Sequence, residues 1–161
     1  MRIGVISDTH DNARNVARIV ELLREAGVAR VVHTGDITRP DTLGVLARLE
    51  LPIVGVYGNN DVEREGLGRA ARHFGIELVE PPLELHWAGR RITVVHDRYA
   101  HGDLALHDRD VILHGHEHRH SLERSSGTLI WNPGECAGLV AGQNSVGVLD
   151  LAALEPERLR F

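Results

Sequence analysis

Short apolar runs alternate with longer segments of mixed polarity through the first half of the chain. Runs rich in Val and Ile predict buried strands at residues 3–6, 28–32 and 51–57. Helices are predicted after these strands at residues 13–26, 40–49 and 62–73. Asp11 or Asn12 is placed to cap the first helix, and Gly27 fits its end. Repeated strand–helix units predict parallel strands in a layered α/β fold.

The second half of the chain is richer in strands. Short strands are predicted there at residues 77–79, 83–87, 91–95, 111–113, 122–124, 128–131, 145–151 and 154–159. Residues 88–90 and 125–127 are predicted hairpin turns, and residues 103–107 a short helix. No segment has the composition of a linker, so we expect a single domain over residues 1–161.

Polar side chains follow the first three predicted strands where each strand ends. In open α/β sheets, this carboxyl edge is where ligands bind. The side chains there that can bind a metal are those of Asp8, His10, Asp36 and Asn59. Taken singly, such residues are ordinary turn residues or helix caps. Their recurrence on three successive strand ends indicates a site.

A fourth and a fifth strand end carry histidines. His96 follows the strand at 91–95, and His114, His116 and His118 alternate after the apolar run at 111–113. In an extended segment, residues two apart face the same side about 6.5 Å from each other. His116 and His118 can therefore reach different ions of a metal pair. The alternative is a solvated loop in a chain with 11 histidines.

Composition narrows the possible functions. The net charge of -5 argues against a general binder of phosphate backbones, so no stable nucleic-acid binding is expected. The single cysteine, Cys136, excludes an internal disulfide and favours a reducing compartment. We expect Cys136 to be a small, buried or partly buried residue without a role. No signal peptide and no membrane-spanning run is visible, so a cytoplasmic location without membrane attachment is expected.

The separated motifs together resemble the calcineurin-like metallophosphoesterase family, and the resemblance covers nearly the whole chain. The motifs are Asp8-x-His10, Gly35-Asp36, Gly58-Asn59, His96 and Gly115-His116-x-His118, in that order. The Gly-Asn-x-Asp form of the third motif and the later Asn132-Pro133-Gly134 resemble the compact branch that includes small bacterial and archaeal phosphodiesterases. The retromer scaffold subunit shares that fold. The resemblance implies a four-layer α/β/β/α sandwich with two mixed β-sheets.

The resemblance also implies a ligand set for two divalent ions, bridged by Asp36. The first ion would be held by Asp8, His10, Asp36 and His118. The second would be held by Asp36, Asn59, His96 and His116. We expect Asp36, Asn59 and His96 to take part in catalysis as well. Mixed oxygen and imidazole ligands suit Mn²⁺, which we expect, or Ni²⁺, Fe²⁺ or Zn²⁺, and the lack of thiolates argues against a structural zinc site.

The expected function is that of a metal-dependent phosphodiesterase acting on a small-molecule phosphodiester. A water or hydroxide activated by the dinuclear centre would attack phosphorus in line. The alternatives are a phosphomonoesterase acting on a nucleotide or sugar phosphate, and a non-catalytic scaffold of the same fold. The resemblance is also compatible with a homo-oligomer.

Two departures from the family pattern affect the expected chemistry. Larger members place a histidine after the motif asparagine, often as the acid for the leaving group, whereas this chain has Asn60. Asn60 cannot donate a proton as an acid, which favours activated diesters. The fourth motif of the family usually continues His-Gly-His or similar, whereas here Asp97 and Arg98 follow His96. Asp97 could orient an imidazole and Arg98 could contact a phosphate, or both could lie in a solvated loop.

The other polar residues near these motifs have simpler interpretations. His33 is expected to be structural, whereas His114 either lines the site or is structural. Asp61 could accept a hydrogen bond from a ligand, but we expect it to cap the following helix. Glu117 is out of phase with the flanking histidines and should face away from the site.

Overall fold

The computed structural model describes residues 1–101 and 108–161. The helical elements of this part of the chain are α1 (Ala13–Glu25), α2 (Pro40–Leu46), a 3₁₀ turn (Ala47–Leu49) and α3 (Arg64–Phe74). The strands are β1 (Arg2–Ile6), β2 (Arg30–His33), β3 (Ile53–Val56), β4 (Glu77–Val79), β5 (Leu83–Trp87), β6 (Arg90–Val94), β7 (Val111–Leu113), β8 (Ser121–Ser125), β9 (Thr128–Asn132), β10 (Ser145–Asp150) and β11 (Glu155–Arg160).

The strands form two mixed sheets. The first sheet has the order β11-β10-β1-β2-β3-β4, with β1 to β4 parallel and with β10 antiparallel to both β1 and β11. The second has the order β5-β6-β7-β9-β8, in which β6, β7 and β9 are parallel and the two outer pairs are antiparallel. Parallel strands place their carboxyl ends at one edge, so each sheet presents several loops together.

The three helices cover one face of the first sheet. Side chains of β1 to β3 that point towards the helices include Ile6, Val31 and Ile53, and they share a buried cluster with Ile19 and Leu23 of α1. The cluster follows the 3.6-residue period of α1 and the two-residue period of the strands. Burial of this apolar surface holds the helices against the sheet.

The opposite face of the first sheet packs on the second sheet. Ile3 and Val5 alternate with Ile6 on β1 and join a buried cluster with Val94 and Trp131 of the second sheet. Trp131 is fully buried and lies directly over Gly147 of β10. A Cβ atom at position 147 would come within 2.3 Å of the indole ring, so only glycine at this position leaves room for the Trp131 side chain.

Local signals set the ends of two helices. The Asn12 side chain accepts a hydrogen bond from the backbone N–H of Asn15, as expected for the cap of α1. Helix α3 ends at Gly75, whose φ of 69° is left-handed and favours glycine.

Most predicted elements are present, with small shifts at their ends. The strands predicted at 77–79, 83–87 and 111–113 match the observed bounds. The helix predicted at 40–49 is divided, since its last three residues tighten into the 3₁₀ turn, a common form of helix end. The expectation of two mixed sheets with helices is confirmed. The helix predicted at 103–107, in the segment between β6 and β7, lies outside the described residues.

None of the helices in residues 1–101 and 108–161 combines the length and the apolar composition that crossing a membrane requires.

The contact between Trp131 and Gly147 gives a stability prediction. Gly147→Ala should lower the free energy of unfolding by about 1–3 kcal/mol, because the indole ring must move away from the new methyl group. Chemical denaturation monitored by circular dichroism measures this change. Gly66→Ala in α3 is the matched control, since the nearest atoms to a Cβ there are 3.7 Å away. The control should be neutral or slightly stabilising, and an equal loss in both variants would contradict the packing argument.

Candidate metal centre

Loops at the carboxyl ends of five parallel strands converge at one edge of the two-sheet sandwich. The loops after β1, β2 and β3 come from the first sheet, and those after β6 and β7 come from the second. These loops carry all of the side chains predicted as site residues: Asp8, His10, Asp36, Asn59, His96, His116 and His118. The structure brings them into two adjoining groups that share Asp36.

The first group contains Asp8, His10, Asp36 and His118. Each offers one ligand atom, and these four atoms lie within 4.8 Å of one another. The Nε2 atoms of His10 and His118 are 3.2 Å apart. The Nε2 atom of His10 is also 3.3 Å from Asp36 Oδ2. Two imidazole nitrogens and two carboxylates thus point at a common centre, as they do around a bound cation.

The carboxylate of Asp8 leaves one oxygen without a partner. Asp8 Oδ2 accepts hydrogen bonds from the hydroxyl of Ser7 and from the backbone N–H of His116. Asp8 Oδ1 is buried and has no hydrogen-bond partner, and it lies 3.5 Å from Nε2 of His118. An unpartnered buried carboxylate oxygen is costly, and coordination of a cation would remove that cost.

The second group contains Asp36, Asn59, His96 and His116. Asn59 Oδ1 is 2.9 Å from His96 Nε2 and 2.9 Å from His116 Nδ1. His96 Nε2 is in turn 3.4 Å from Asp36 Oδ2. The same oxygen of Asp36 therefore contacts His10 of the first group and His96 of the second.

The two imidazoles beside Asp36 lower the pKa of its carboxyl group. Burial alone would raise the pKa of Asp36, but hydrogen bonds from His10 and His96 outweigh it and hold the pKa far below its usual range. The hydrogen bond with Asp36 raises the pKa of His10. Burial lowers the pKa of His96, but its contacts with Asp36 reverse the sign and raise it. The group thus favours an anionic Asp36 with positive charge beside it.

The pKa of Asp8 is shifted in the opposite direction to that of Asp36. Its burial raises its pKa, and the nearby Asp36 adds to the rise. Two buried carboxylates side by side are unfavourable unless a cation compensates them. Together with the unpartnered oxygen of Asp8 and the converging imidazole nitrogens, this donor set fits a divalent cation.

A backbone carbonyl orients one of the imidazoles. His96 Nδ1 lies 2.9 Å from the carbonyl oxygen of Thr34, which can only accept a hydrogen bond. Nδ1 must therefore carry the proton, and Nε2 faces Asp36 and Asn59 with its lone pair when the ring is neutral. This arrangement is typical of metal-binding histidines.

The expected extended conformation at residues 114–118 is wrong. His116 and His118 have φ angles of 73° and 50°, in the left-handed region. Asp8, His10 and Asp36 are left-handed as well. Such residues cost about 1–3 kcal/mol each and cluster at functional sites, where the surrounding structure holds them. A periodic His-x-His pattern does not distinguish this turn from a strand.

Asp61 does not cap the following helix. Its buried carboxylate accepts hydrogen bonds from the backbone N–H groups of Gly58 and of the consecutive residues Asp36, Ile37 and Thr38, at 2.7–3.0 Å. Helix α3 instead begins after Glu63, without a side-chain cap. Asp61 thereby ties the loop after β2 to the loop after β3 and fixes the backbone of Asp36.

Two further histidines are buried but lie outside the ligand groups. His33 is buried, accepts a hydrogen bond from the backbone N–H of Gly35, and contacts the Thr9 hydroxyl through its other ring nitrogen. Burial lowers the pKa of His33 to about 3, as expected for a structural histidine. His114 is also buried and lies 3.2 Å from Glu117, which faces His114 rather than the ligand groups.

The residues after His96 are held by their own neighbours. Asp97 accepts a hydrogen bond from the backbone N–H of Tyr99, and its other oxygen lies 3.9 Å from His116 Nε2. This separation is too long for a direct hydrogen bond. Arg98 pairs with Glu123 at 3.1 Å. Asp97 therefore makes no direct hydrogen bond to His116, whereas a contact of Arg98 with a substrate phosphate stays a prediction.

Sequence reasoning missed one buried acid. Glu135 follows β9 and is fully buried, with Oε2 3.1 Å from His118 Nδ1. The available signal was its position after Asn132-Pro133-Gly134, at the end of another predicted strand. The cysteine next to it, Cys136, is buried as expected, and desolvation raises the pKa of its thiol to about 12.

A cavity of about 200 Å³ adjoins the second group. Its lining includes Asn59, His96 and His116 of this group together with Tyr57 and Arg64. The guanidinium of Arg64 lies over the Tyr57 ring, 4.6 Å from its centre. The cavity thus offers an aromatic ring next to the candidate metal centre, and the guanidinium of Arg64 there is paired with Glu80, another lining residue.

Comparison with known proteins identifies relatives over nearly the whole chain. The model of the calcineurin-like phosphoesterase superfamily domain matches residues 1–153. A phosphodiesterase of Methanocaldococcus jannaschii is 29% identical over 154 residues, covering 93% of each protein. A probable metallophosphoesterase of Methanothermobacter thermautotrophicus is 34% identical over 145 residues, covering 83% of this chain and 76% of that protein. The solved structure of an archaeal phosphodiesterase has a TM-score of 0.92 at 27% identity, with 100% of both chains covered.

The four hydrogen bonds to Asp61 give a second stability prediction. Asp61→Ala should lower the free energy of unfolding by about 3 kcal/mol or more, because buried N–H groups lose their charged acceptor. Urea denaturation of the metal-free protein measures the loss. The control is Glu157→Ala, which removes an exposed ion pair with Arg2 and should cost less than about 1 kcal/mol. A loss as small as that of the control would show that Asp61 does not hold these loops.

Proposed function

The chain belongs to the calcineurin-like phosphoesterase superfamily, and we propose that it is a metal-dependent phosphodiesterase with a dinuclear centre. The observation that carries the proposal is the contact of Asp36 Oδ2 with His10 on one side and His96 on the other. One carboxylate that reaches two groups of ligands suits two ions better than one. The relatives named as phosphodiesterases support the choice of reaction.

The proposed ligands are those expected from the sequence. Asp8, His10, Asp36 and His118 would hold the first ion, and Asp36, Asn59, His96 and His116 the second. Oxygen and imidazole ligands without thiolate favour Mn²⁺, with Ni²⁺, Fe²⁺ or Zn²⁺ as alternatives. When bound, the ions would activate a water for attack on phosphorus and neutralise charge on the phosphate oxygens.

The protein's own side chains would orient the substrate. We propose Asp36, Asn59 and His96 as catalytic residues, because Asn59 and His96 line the cavity and Asp36 contacts His96 directly. The hydrogen bond from His96 to Thr34 fixes the imidazole during the reaction. One ester group of the substrate would occupy this cavity, which Tyr57 also lines.

The position after Asn59 favours diesters with good leaving groups. The Asn60 side chain donates a hydrogen bond to Asp36 Oδ2 at 2.7 Å, and its backbone N–H donates to Asp36 Oδ1 at 2.9 Å. Asn60 therefore steadies Asp36 and cannot protonate a departing alkoxide. Without such an acid, a leaving group that is stable as an anion departs more readily.

The proposal also covers the substrate class, the domain organisation, the location and the oligomeric state of the enzyme. We propose a small-molecule diester as substrate, and the net charge of -5 supports this over stable nucleic-acid binding. A single domain over residues 1–161 and a cytoplasmic location are also part of the proposal, and the single cysteine suits a reducing compartment. A homo-oligomer is compatible with it.

The dual contact of Asp36 predicts a large effect of one substitution. Asp36→Asn should lose most of the bound metal and reduce diester turnover by at least about 100-fold, because a charged ligand of both ions is neutralised. Metal content by mass spectrometry and turnover under saturating substrate measure the two effects. Asp41→Asn, an exposed position at the start of α2, is the control and should resemble the wild type. Wild-type metal content and turnover in Asp36→Asn would refute the dinuclear assignment.

The reaction class is tested by comparing two esters. Protein stripped by a chelator and reloaded with Mn²⁺ should hydrolyse bis-p-nitrophenyl phosphate faster than p-nitrophenyl phosphate, and chelator should abolish the activity. Release of p-nitrophenol is followed by absorbance. Faster turnover of the monoester would replace the phosphodiesterase by a phosphomonoesterase. No turnover of either ester with two ions bound would instead favour a scaffold.

A further inference from the structure

Glu135 connects the candidate metal centre to a loop on the protein surface. It is fully buried, although it carries a carboxylate. One oxygen, Oε1, accepts a hydrogen bond of 2.7 Å from the backbone N–H of Val140. The other, Oε2, lies 3.1 Å from Nδ1 of His118. Both oxygens are thus engaged, and one of them contacts a proposed ligand on the side away from the other ligands.

The backbone of Glu135 is held on both sides. Its carbonyl oxygen accepts a hydrogen bond from the backbone N–H of Ser145 at 2.9 Å. The next residue, Cys136, donates its N–H to the carbonyl oxygen of Asp8 at 3.3 Å. Hydrogen bonds therefore join the backbone at Glu135 to the start of β10 and, through Cys136, to the loop of another proposed ligand.

The two contacts determine which nitrogen of His118 carries a proton. A carboxylate is only an acceptor, so Oε2 requires that Nδ1 of a neutral His118 be protonated. The other nitrogen, Nε2, then has a free lone pair. It is Nε2 that lies 3.2 Å from His10 Nε2 and 3.5 Å from Asp8 Oδ1. Glu135 thus presents the ligating nitrogen of His118 towards the centre of the first group.

We propose that Glu135 is a positioning residue that fixes the tautomer and orientation of His118 for metal binding and links them to the loop at Val140. The inference rests on the metal centre of the proposed function but not on its phosphodiesterase activity. Carboxylate–histidine pairs of this kind raise metal affinity in other proteins.

An amide at position 135 cannot make both contacts. If the amide oxygen of Gln accepts from Val140, its NH₂ group faces Nδ1 of His118 and favours a proton on Nε2, which blocks coordination. If the oxygen accepts from His118, the NH₂ group faces the N–H of Val140 without forming a hydrogen bond. Glu135→Gln preserves the volume of the side chain, so it tests the acceptor chemistry without creating a cavity.

The first experiment measures the Mn²⁺ affinity of Glu135→Gln by competition with a chromogenic chelator. The affinity should fall about 10- to 100-fold, the range seen when such partners are removed. Glu84→Gln is the matched control, because Glu84 also uses both oxygens, with Thr93 and Arg109, but lies outside the ligand groups. The control should bind Mn²⁺ as the wild type does. Unchanged affinity in Glu135→Gln would overturn the proposal.

A second comparison separates positioning from general loosening of the fold. In a His118→Ala background, Glu135→Gln should cause no further loss of Mn²⁺ affinity, because the residue that it positions is gone. A merely structural role would lower the affinity in both backgrounds, and that result would contradict the proposal.

The tautomer is observed directly in metal-free protein. Nitrogen-15 correlation spectra of wild-type protein should show His118 protonated at Nδ1, and this preference should be weaker in the Gln variant, where only one of the two amide orientations supports it. A wild-type His118 protonated at Nε2 would refute the proposal, whatever the enzyme hydrolyses. Because this measurement needs neither metal nor substrate, it stays independent of a failure of the proposed activity.

Discussion

The edge of the two sheets that carries the proposed metal ligands is stable only if its buried negative charge is compensated. Asp8 and Asp36 are almost completely buried, and two carboxylates in such a place lose hydration and repel each other. Imidazole nitrogens surround them, but Asp8 Oδ1 still has no partner. Divalent cations would satisfy this oxygen and the converging nitrogens together. In our account, the strand ends therefore form a site that is completed by metal.

Two other buried acids hold the site in place without belonging to the ligand set. Asp61 binds four backbone N–H groups and joins the loops after β2 and β3. Glu135 contacts His118 and the N–H of Val140. Each carboxylate spans two segments that are distant in sequence. The left-handed ligand residues can be maintained because such contacts fix the backbone around them.

The ends of parallel strands were predictable because apolar runs and the polar residues after them are local features of the sequence. The same reasoning brought Asp8, Asn59 and His96 to one edge, where the structure places them. It failed for Asp61, because an acid before a helix has the same local pattern whether it caps that helix or binds another loop. The contact of Glu135 with His118 joins two strand ends and leaves no periodic signal. The left-handed turn at 116–118 was missed because alternate histidines also fit a strand.

A crystal structure of the protein with Mn²⁺, in which anomalous scattering locates the ions, would show whether Asp36 contacts two metals. We expect two anomalous peaks, one on each side of the Asp36 carboxylate, with His10 and His118 at one peak and His96 and His116 at the other. A single peak, or peaks that leave Asp36 without a metal contact, would contradict the dinuclear centre.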